Sequence, residues 1–465
     1  MPATRCTKYF QDTSIMQSQW NQDENAQLKR DAMEFIIPHF ASNEELAKGP
    51  KIYVRGEGCW IWDIDGNKYL DTFATLLTTI CGHHRPEILE AVTKQAQQLE
   101  FFPNYVDAFT VPLIQLARKL AELMPGDLSV SFFINSGSEA NETAIKMARQ
   151  YQVQIGQPQR RHVIGRKNSY HGTTLGGTSA TGIEWFREPF GPLLSPDCVF
   201  APPTRGGEAD GEAALPAMRK MVEELGPETV ACIIMDPIPG SNTGYPLPPE
   251  GYLQGVRALC DEYGILLIFD EVQTGFGKTG KWFACEHWNV VPDILTIGKG
   301  FTGGYLPLAA TVTTPKIADV FRKEPGQELR SGGTYGGHTL CCAATLANIE
   351  YIEKHDLVSK AADTGKYLQE QLEKLARFEI VDDVRGIGLL WAVELQSNRE
   401  DVTRQDIGLW IRDWCHNHGM ILRCNGHILV IAPALIISRE EIDLMIDLME
   451  QSIAAAGAHF GFGTA

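Results

Sequence analysis

No run in this chain approaches the ~18 consecutive apolar residues that a membrane-spanning helix requires, and the amino terminus shows no basic segment leading into an apolar stretch. Neither a membrane span nor a secretory signal is therefore expected. Basic residues are the minority, 41 Lys and Arg against 58 Asp and Glu, for a formal net charge of −17. That deficit argues against a broad nucleic-acid surface, which depends on clustered cations displacing counterions from phosphates. No Cys-x-x-Cys pair occurs. The 11 cysteines, an odd number without repeated spacing, suggest neither a disulfide framework nor a metal site. A reducing, cytoplasmic setting fits, and the adjacent Cys341 and Cys342 read as buried helix thiols rather than redox partners. Internal repeats and low-complexity tracts are also missing.

What is present is the composition of a globular protein, 44% hydrophobic and 21% charged over 465 residues, enough for a large core and more than one domain. Residues 1 to about 50 are polar with scattered aromatics (Phe10, Trp20, Phe35, Phe40) and read as an arm lying on another surface. Short β-like runs at 52–54, 60–64 and 68–70, the last two parted by Asp65-Gly66, predict a small meander. From there apolar runs at 130–134, 163–165, 230–235, 265–269 and 294–297 alternate with helical patterns, which predicts a largely parallel sheet covered by helices. After residue 343 the pattern changes to amphipathic helices (343–354, 361–376, 406–418, 439–454) around short strands near 389–395 and 428–431, a smaller α+β unit. The division predicted is residues 1–71 (arm and part of the small domain), 72–345 (large domain) and 346–465 (remainder of the small domain).

In such sheets ligands sit beyond the carboxyl ends of the strands. The run 130–134 enters Asn135-Ser136-Gly137-Ser138 and then a helix, so free N–H groups and the positive end of the helix dipole could receive a phosphate at Ser136, Gly137 and Ser138. A simple serine cap explains the same residues without a ligand. The run 265–269 ends in Asp270, a carboxylate that needs a partner when desolvated: a protonated pyridine nitrogen, or the cation of a structural salt bridge. The run 294–297 ends in Gly298-Lys299-Gly300, where burial would draw a lysine toward nucleophilic use. Ser169-Tyr170-His171-Gly172 offers a ring to cover a flat ligand, and the loop 331–338 offers Gly333 and the hydroxyl of Thr334 to a phosphate. Two motifs fail on context. Gly298-x-Gly300-x-x-Gly303 matches the dinucleotide fingerprint but runs into Pro307 where a helix is required, and the P-loop imitation at 275–280 has Val272 in place of its first glycine.

The segments "NSGSEANETAIKMAR", "YHG", "IFDEVQTGFGKTG", "PDILTIGKG" and "GGTYGGH", in this order and at these intervals, resemble the class III (ω-amino acid type) aminotransferases of the fold-type I pyridoxal-phosphate enzymes, most of all the amine:pyruvate transaminases; the likeness covers roughly residues 51–448. It implies an α/β fold with a mostly parallel seven-stranded sheet between helices and a small α+β domain built from both chain ends. It implies pyridoxal 5'-phosphate joined to Lys299 as a Schiff base, with that lysine then carrying the proton shift of a ping-pong transamination through pyridoxamine phosphate. Asp270 would hold the pyridine nitrogen protonated, with His171 nearby. Val272 and Tyr170 would flank the ring, and Ser136, Gly137 and Ser138 would bind phosphate. Gly333 and Thr334 would join them, Thr334 from the opposite subunit of a homodimer, alone or paired into a tetramer. No metal is expected.

By the same resemblance Arg423 would pair with the substrate carboxylate, a structural salt bridge being its other reading. Leu77 stands where several relatives place a tryptophan, which would widen the donor pocket, and Phe102 and Tyr105 would line it with Tyr170. Relatives using 2-oxoglutarate carry a glutamate in the loop after Glu-Pro. Here residues 236–244 read DPIPGSNTG, with Asp236 for the usual Glu and no later acid. Pyruvate is accordingly the expected acceptor, and an amine or ω-amino acid the expected donor. An aminomutase, a racemase or a decarboxylating transaminase would use the same lysine and phosphate site.

Overall fold

The computed structural model describes residues 20–206 and 210–463. The first 19 residues of the expected arm, Phe10 among them, lie outside the described residues. The rest of the arm begins as a helix, Gln22–Phe35, started by a capping box in which Asn21 Oδ1 accepts from the Asp23 and Glu24 amides and Glu24 accepts from the Asn21 amide. The spacing of Asn21 and Glu24 is a legible start signal.

The expected meander forms as β1 (Tyr53–Glu57), β2 (Trp60–Asp63) and β3 (Lys68–Asp71). The central sheet contains β4 (Val130–Ile134), β5 (His162–Arg166), β6 (Cys198–Ala201), β7 (Val230–Met235), β8 (Leu266–Asp270), β9 (Ile294–Ile297) and β10 (Ala309–Thr313). Its order is β4-β10-β9-β8-β7-β5-β6, and only β10 runs against its neighbours. Every residue of β7 and β8 is buried because both faces are covered. Cys232 and Ile234 face the helix Gly137–Gln154 through Ala144, Met147 and Ala148, while Ile233 and Met235 face the opposite core. Apolar side chains on both faces are what a continuous apolar run, rather than an alternating one, encodes.

The carboxyl-terminal part adds β11 (Val381–Ile387), β12 (Leu390–Leu395), β13 (Met420–Ile421), β14 (Arg423–Asn425) and β15 (Ile428–Ile431). Four of these make an antiparallel sheet, β11-β12-β15-β14, whereas β13 pairs in parallel with β3. Both chain ends therefore build the smaller unit. Among the described residues no helix is long and apolar enough to cross a membrane.

Directly after β3 the backbone makes a left-handed turn. Ala74, Thr75, Leu76 and Leu77 have φ of 44°, 46°, 64° and 65°, a conformation costing roughly 1–2 kcal/mol for each L-residue. Asp71 holds it: its Oδ2 accepts from the Thr75 amide (2.7 Å) and hydroxyl (2.9 Å). The reversed hand carries Leu77 inward.

Candidate active site

Strand ends β4, β8 and β9 converge on one open cavity, lined by Gly137, Ser138, Asn141, Tyr170, His171, Gly172, Asp270, Val272, Gln273 and Lys299.

Asp270 ends β8 as a buried carboxylate that no Lys or Arg pairs with among the described residues. Its Oδ2 accepts from Asn141 Nδ2 (2.7 Å) and His171 Nδ1 (2.9 Å), and its Oδ1 accepts from the Val272 amide (3.0 Å). Burial alone would raise its pKa, but the His171 contact and the two further donors outweigh burial and hold it below the usual carboxylate value. Oδ1 retains acceptor capacity, since a carboxylate oxygen can take two donors. Asn141 is fixed in turn, donating to the His171 carbonyl (2.9 Å) and accepting from the Thr296 hydroxyl (2.7 Å). Glu271, the second acid of the pair, points the other way and accepts from the Thr274 hydroxyl (2.6 Å) and the amides of Ala284 and Cys285 (2.8 Å each).

Lys299 follows β9 with φ of 46°. Among the described residues its ammonium has no hydrogen bond or ion pair. Desolvation lowers its pKa from 10.5 to about 8, against a smaller upward pull from Asp270. Lys299–Thr302 is one tight turn leading into β10, so the dinucleotide reading fails in the fold as it did on context. In the P-loop imitation Lys278 is buried and donates to the carbonyls of Ala432 (2.9 Å) and Pro433, a structural role.

The helix Gly137–Gln154 presents its first amides to the cavity. Ser136 acts as the cap, accepting from the Glu139 amide (3.3 Å), and is exposed outside the cavity lining. The amides of Gly137 and Ser138 have no acceptor among the described residues, as expected of a first helical turn. Two glycines keep the space open. A Cβ on Gly137 would stand 2.7 Å from Val272 Cγ1, and one on Gly172, whose φ is 119°, would stand 2.6 Å from Ser138 Oγ. Tyr170 lines the same cavity and packs on Phe186 with ring centroids 5.0 Å apart.

These features fit pyridoxal phosphate. An anion cradle, the side chains of Val272 and Tyr170, a charged acid with a free lone pair and an unpaired lysine share one cavity, and among the described residues His171 Nε2 is buried without a hydrogen-bond partner. Gly137 and Ser138 would hold the phosphate, Asp270 the ring nitrogen, and Lys299 the aldehyde carbon.

The remaining expected residues lie elsewhere in the protomer. Leu77 is 2% exposed, does not line the cavity and packs among Phe73, Ile238, Tyr245 and Val430, because the left-handed turn directs it into the core and leaves Leu76 at the surface. Phe102 and Tyr105 are exposed and, like Gly333 and Thr334, do not line the cavity. The two segments pack together, Phe101 stacking on His338 at 4.9 Å and Tyr105 lying beside Gly332. Arg423 begins β14, and no acid pairs with it among the described residues. Its Nε donates to Asn425 Oδ1 (2.8 Å). Asp236 makes a structural contact: Oδ1 accepts from buried Arg166 (2.6 Å) and from the Ser169 hydroxyl (2.7 Å), and Oδ2 caps the following loop at Gly240 (3.1 Å).

Sequence reasoning missed Asn141, Gln273 and Arg166. Asn141 carried a signal, an amide four residues after Gly137 on the apolar stripe of its helix, and a polar group on such a stripe needs a partner. Arg166, at the end of β5, carried a weaker one.

Residues 41–453 match the family described as aminotransferase class-III. The chain is 36% identical over 435 residues to the putrescine–pyruvate aminotransferase of Pseudomonas aeruginosa, covering 91% of this chain and 94% of that protein. It is 35% identical to the β-alanine–pyruvate aminotransferase of the same organism, covering 89% and 94%. The crystal structure of an (S)-enantioselective omega-transaminase from Thermomicrobium roseum superposes with a TM-score of 0.89 at 36% identity, covering 94% of this chain and 99% of that one. The chain belongs to the class-III aminotransferases, enzymes that transfer amino groups with pyridoxal phosphate.

Proposed function

We infer that this aminotransferase takes its amino group from an amine or ω-amino acid and passes it to pyruvate. The observation that carries the reading is Arg423, free of any acid among the described residues, beside a loop (236–244) that supplies none after Asp236. A keto acid with one carboxylate satisfies that guanidinium; an amine donor without a carboxylate leaves it unpaired at the surface, where water solvates it. Two of the relatives are named for pyruvate, with putrescine and β-alanine as the other substrates.

When bound, pyridoxal phosphate supplies an electrophilic carbon and a ring that accepts the electron pair left as substrate Cα loses its proton. Gly137 and Ser138 would bind the phosphate through helix amides, with the Ser138 hydroxyl as a further donor. Val272 and Tyr170 would flank the ring. Asp270, held below the usual carboxylate value, would offer its charge to the ring nitrogen. Lys299 Nζ, whose pKa desolvation brings down to about 8, would accept the proton released at substrate Cα.

The protein acts as a homodimer in this reading. The surface formed by Phe102, Tyr105, Gly333 and Thr334 would meet a second subunit's cavity and complete it. A cytoplasmic location accords with ten described cysteines that are all free thiols.

The test is a donor panel (putrescine, β-alanine, 1-phenylethylamine) run in parallel with pyruvate and 2-oxoglutarate, quantifying alanine and glutamate, with sedimentation for subunit number. Alanine should form faster with every accepted donor; faster glutamate formation overturns the acceptor assignment.

A further inference from the structure

β14 and β15 form a hairpin around Gly426 and His427, with Arg423 opposite Val430 and Asn425 opposite Ile428. Residues two apart on a strand share a face, so Asn425 lies beside the Arg423 side chain. Its amide is used twice. Oδ1 accepts from Arg423 Nε (2.8 Å), and Nδ2 donates to the Ser241 carbonyl (2.9 Å). Both partners demand the same amide orientation, since an Nε–H can only donate and a carbonyl can only accept. The chain continues inward: the Ser241 amide donates to Gln273 Oε1 (3.2 Å), and Gln273 lines the cavity that holds Lys299. Gly240 is packed against this link, since a Cβ there would stand 2.4 Å from Gln273 Nε2. The loop is also anchored from its far side, where Arg385 Nη2 donates to the Thr243 carbonyl (2.8 Å).

We propose that Asn425 is a positioning residue for carboxylate recognition, which orients Arg423 and ties it through Ser241 and Gln273 to the cavity of Lys299. This rests on the assignment of Arg423 to the substrate carboxylate. With Nε engaged, the guanidinium keeps its two terminal nitrogens, Nη1 and Nη2, as the pair available to two carboxylate oxygens. A guanidinium on three or more free torsions would have to be ordered by the substrate itself, at a cost in affinity. Here the hairpin has ordered it beforehand.

The test compares holoenzyme variants with 1-phenylethylamine as donor and either pyruvate or acetaldehyde, its counterpart without a carboxylate, as acceptor. Losing a hydrogen bond to a charged group corresponds to about tenfold or more. Asn425→Ala should therefore lower kcat/KM for pyruvate about tenfold, chiefly through KM, and leave acetaldehyde within about twofold. Asn425→Asp, which preserves shape but places a negative charge on the guanidinium, should lose more with pyruvate and again spare acetaldehyde. Calorimetric titration with propanoate, an unreactive carboxylate, should weaken in step. Equal losses for both acceptors, or none for pyruvate, overturn the proposal. Arg423→Ala separates the two layers: if it leaves the pyruvate-to-acetaldehyde ratio intact, the assignment of Arg423 fails and this inference with it. If it collapses the ratio while both Asn425 variants do not, only the inference fails.

Discussion

Lys299 should be a measurable burden on the cofactor-free protein. Desolvation lowers its pKa from 10.5 to about 8, so between those two values the unfolded chain binds more protons at this residue than the folded one. Stability contributed through Lys299 therefore rises as pH climbs from about 8 to 10.5, and the penalty is fully present below pH 8. A difference of about 2.5 at 1.36 kcal/mol each sets an upper value of about 3 kcal/mol. Lys299→Met keeps most of the aliphatic stem and removes the charge. The apoprotein variant should be more stable than the parent by up to about 3 kcal/mol at pH 7, with most of that gain gone at pH 10. Urea unfolding of both apoproteins at the two pH values measures it, and the difference between variants cancels other titrating groups such as Lys278. A gain that is the same at both pH values, or absent at pH 7, would refute the claim that burial rather than a specific contact depresses this lysine.

Two further outcomes follow from the geometry. Gly137→Ala forces apart Val272 and the first helical turn, because the new Cβ would stand 2.7 Å from Val272 Cγ1; cofactor affinity by equilibrium dialysis should fall at least about tenfold, and an unchanged value would remove the close approach from the account. Glu394 is held down to about 2 by the His427 hydrogen bond and, against burial, by Arg385. Glu394→Gln should cost about 1–2 kcal/mol at pH 7 after allowance for solvent screening, and the gap from the parent should narrow as pH falls from 4.5 toward 2, read from urea midpoints at pH 7 and pH 3.

Much of the site was legible because each key residue ends an apolar run. Asp270 closes β8 and Lys299 follows β9, and a charge in that place has no role in packing a doubly covered sheet. The residues that orient them were less visible. Asn141 is one amide in a polar helical segment, and its meaning depends on Asp270, 129 residues later, and on Thr296. Gln273 and Ser241 join through loops whose paths no periodicity specifies. The inward course of Leu77 comes from a left-handed turn of four non-glycine residues, which no periodicity announces. Phe102, Tyr105 and Thr334 are exposed in the protomer, so no packing within the chain marks them.

The pairing of β3 with β13 bears on how the chain is made. Thr72 donates its hydroxyl to the Ile421 carbonyl across 349 positions of sequence (2.7 Å), and Leu70 donates to the Gly419 carbonyl (2.8 Å). At ribosomal speeds of about 5–20 residues per second, the early meander waits roughly 20–70 s for the strand that completes its edge. The central sheet has been fully synthesised before then, and until β13 emerges β3 carries an open strand edge of the kind that invites other pairings.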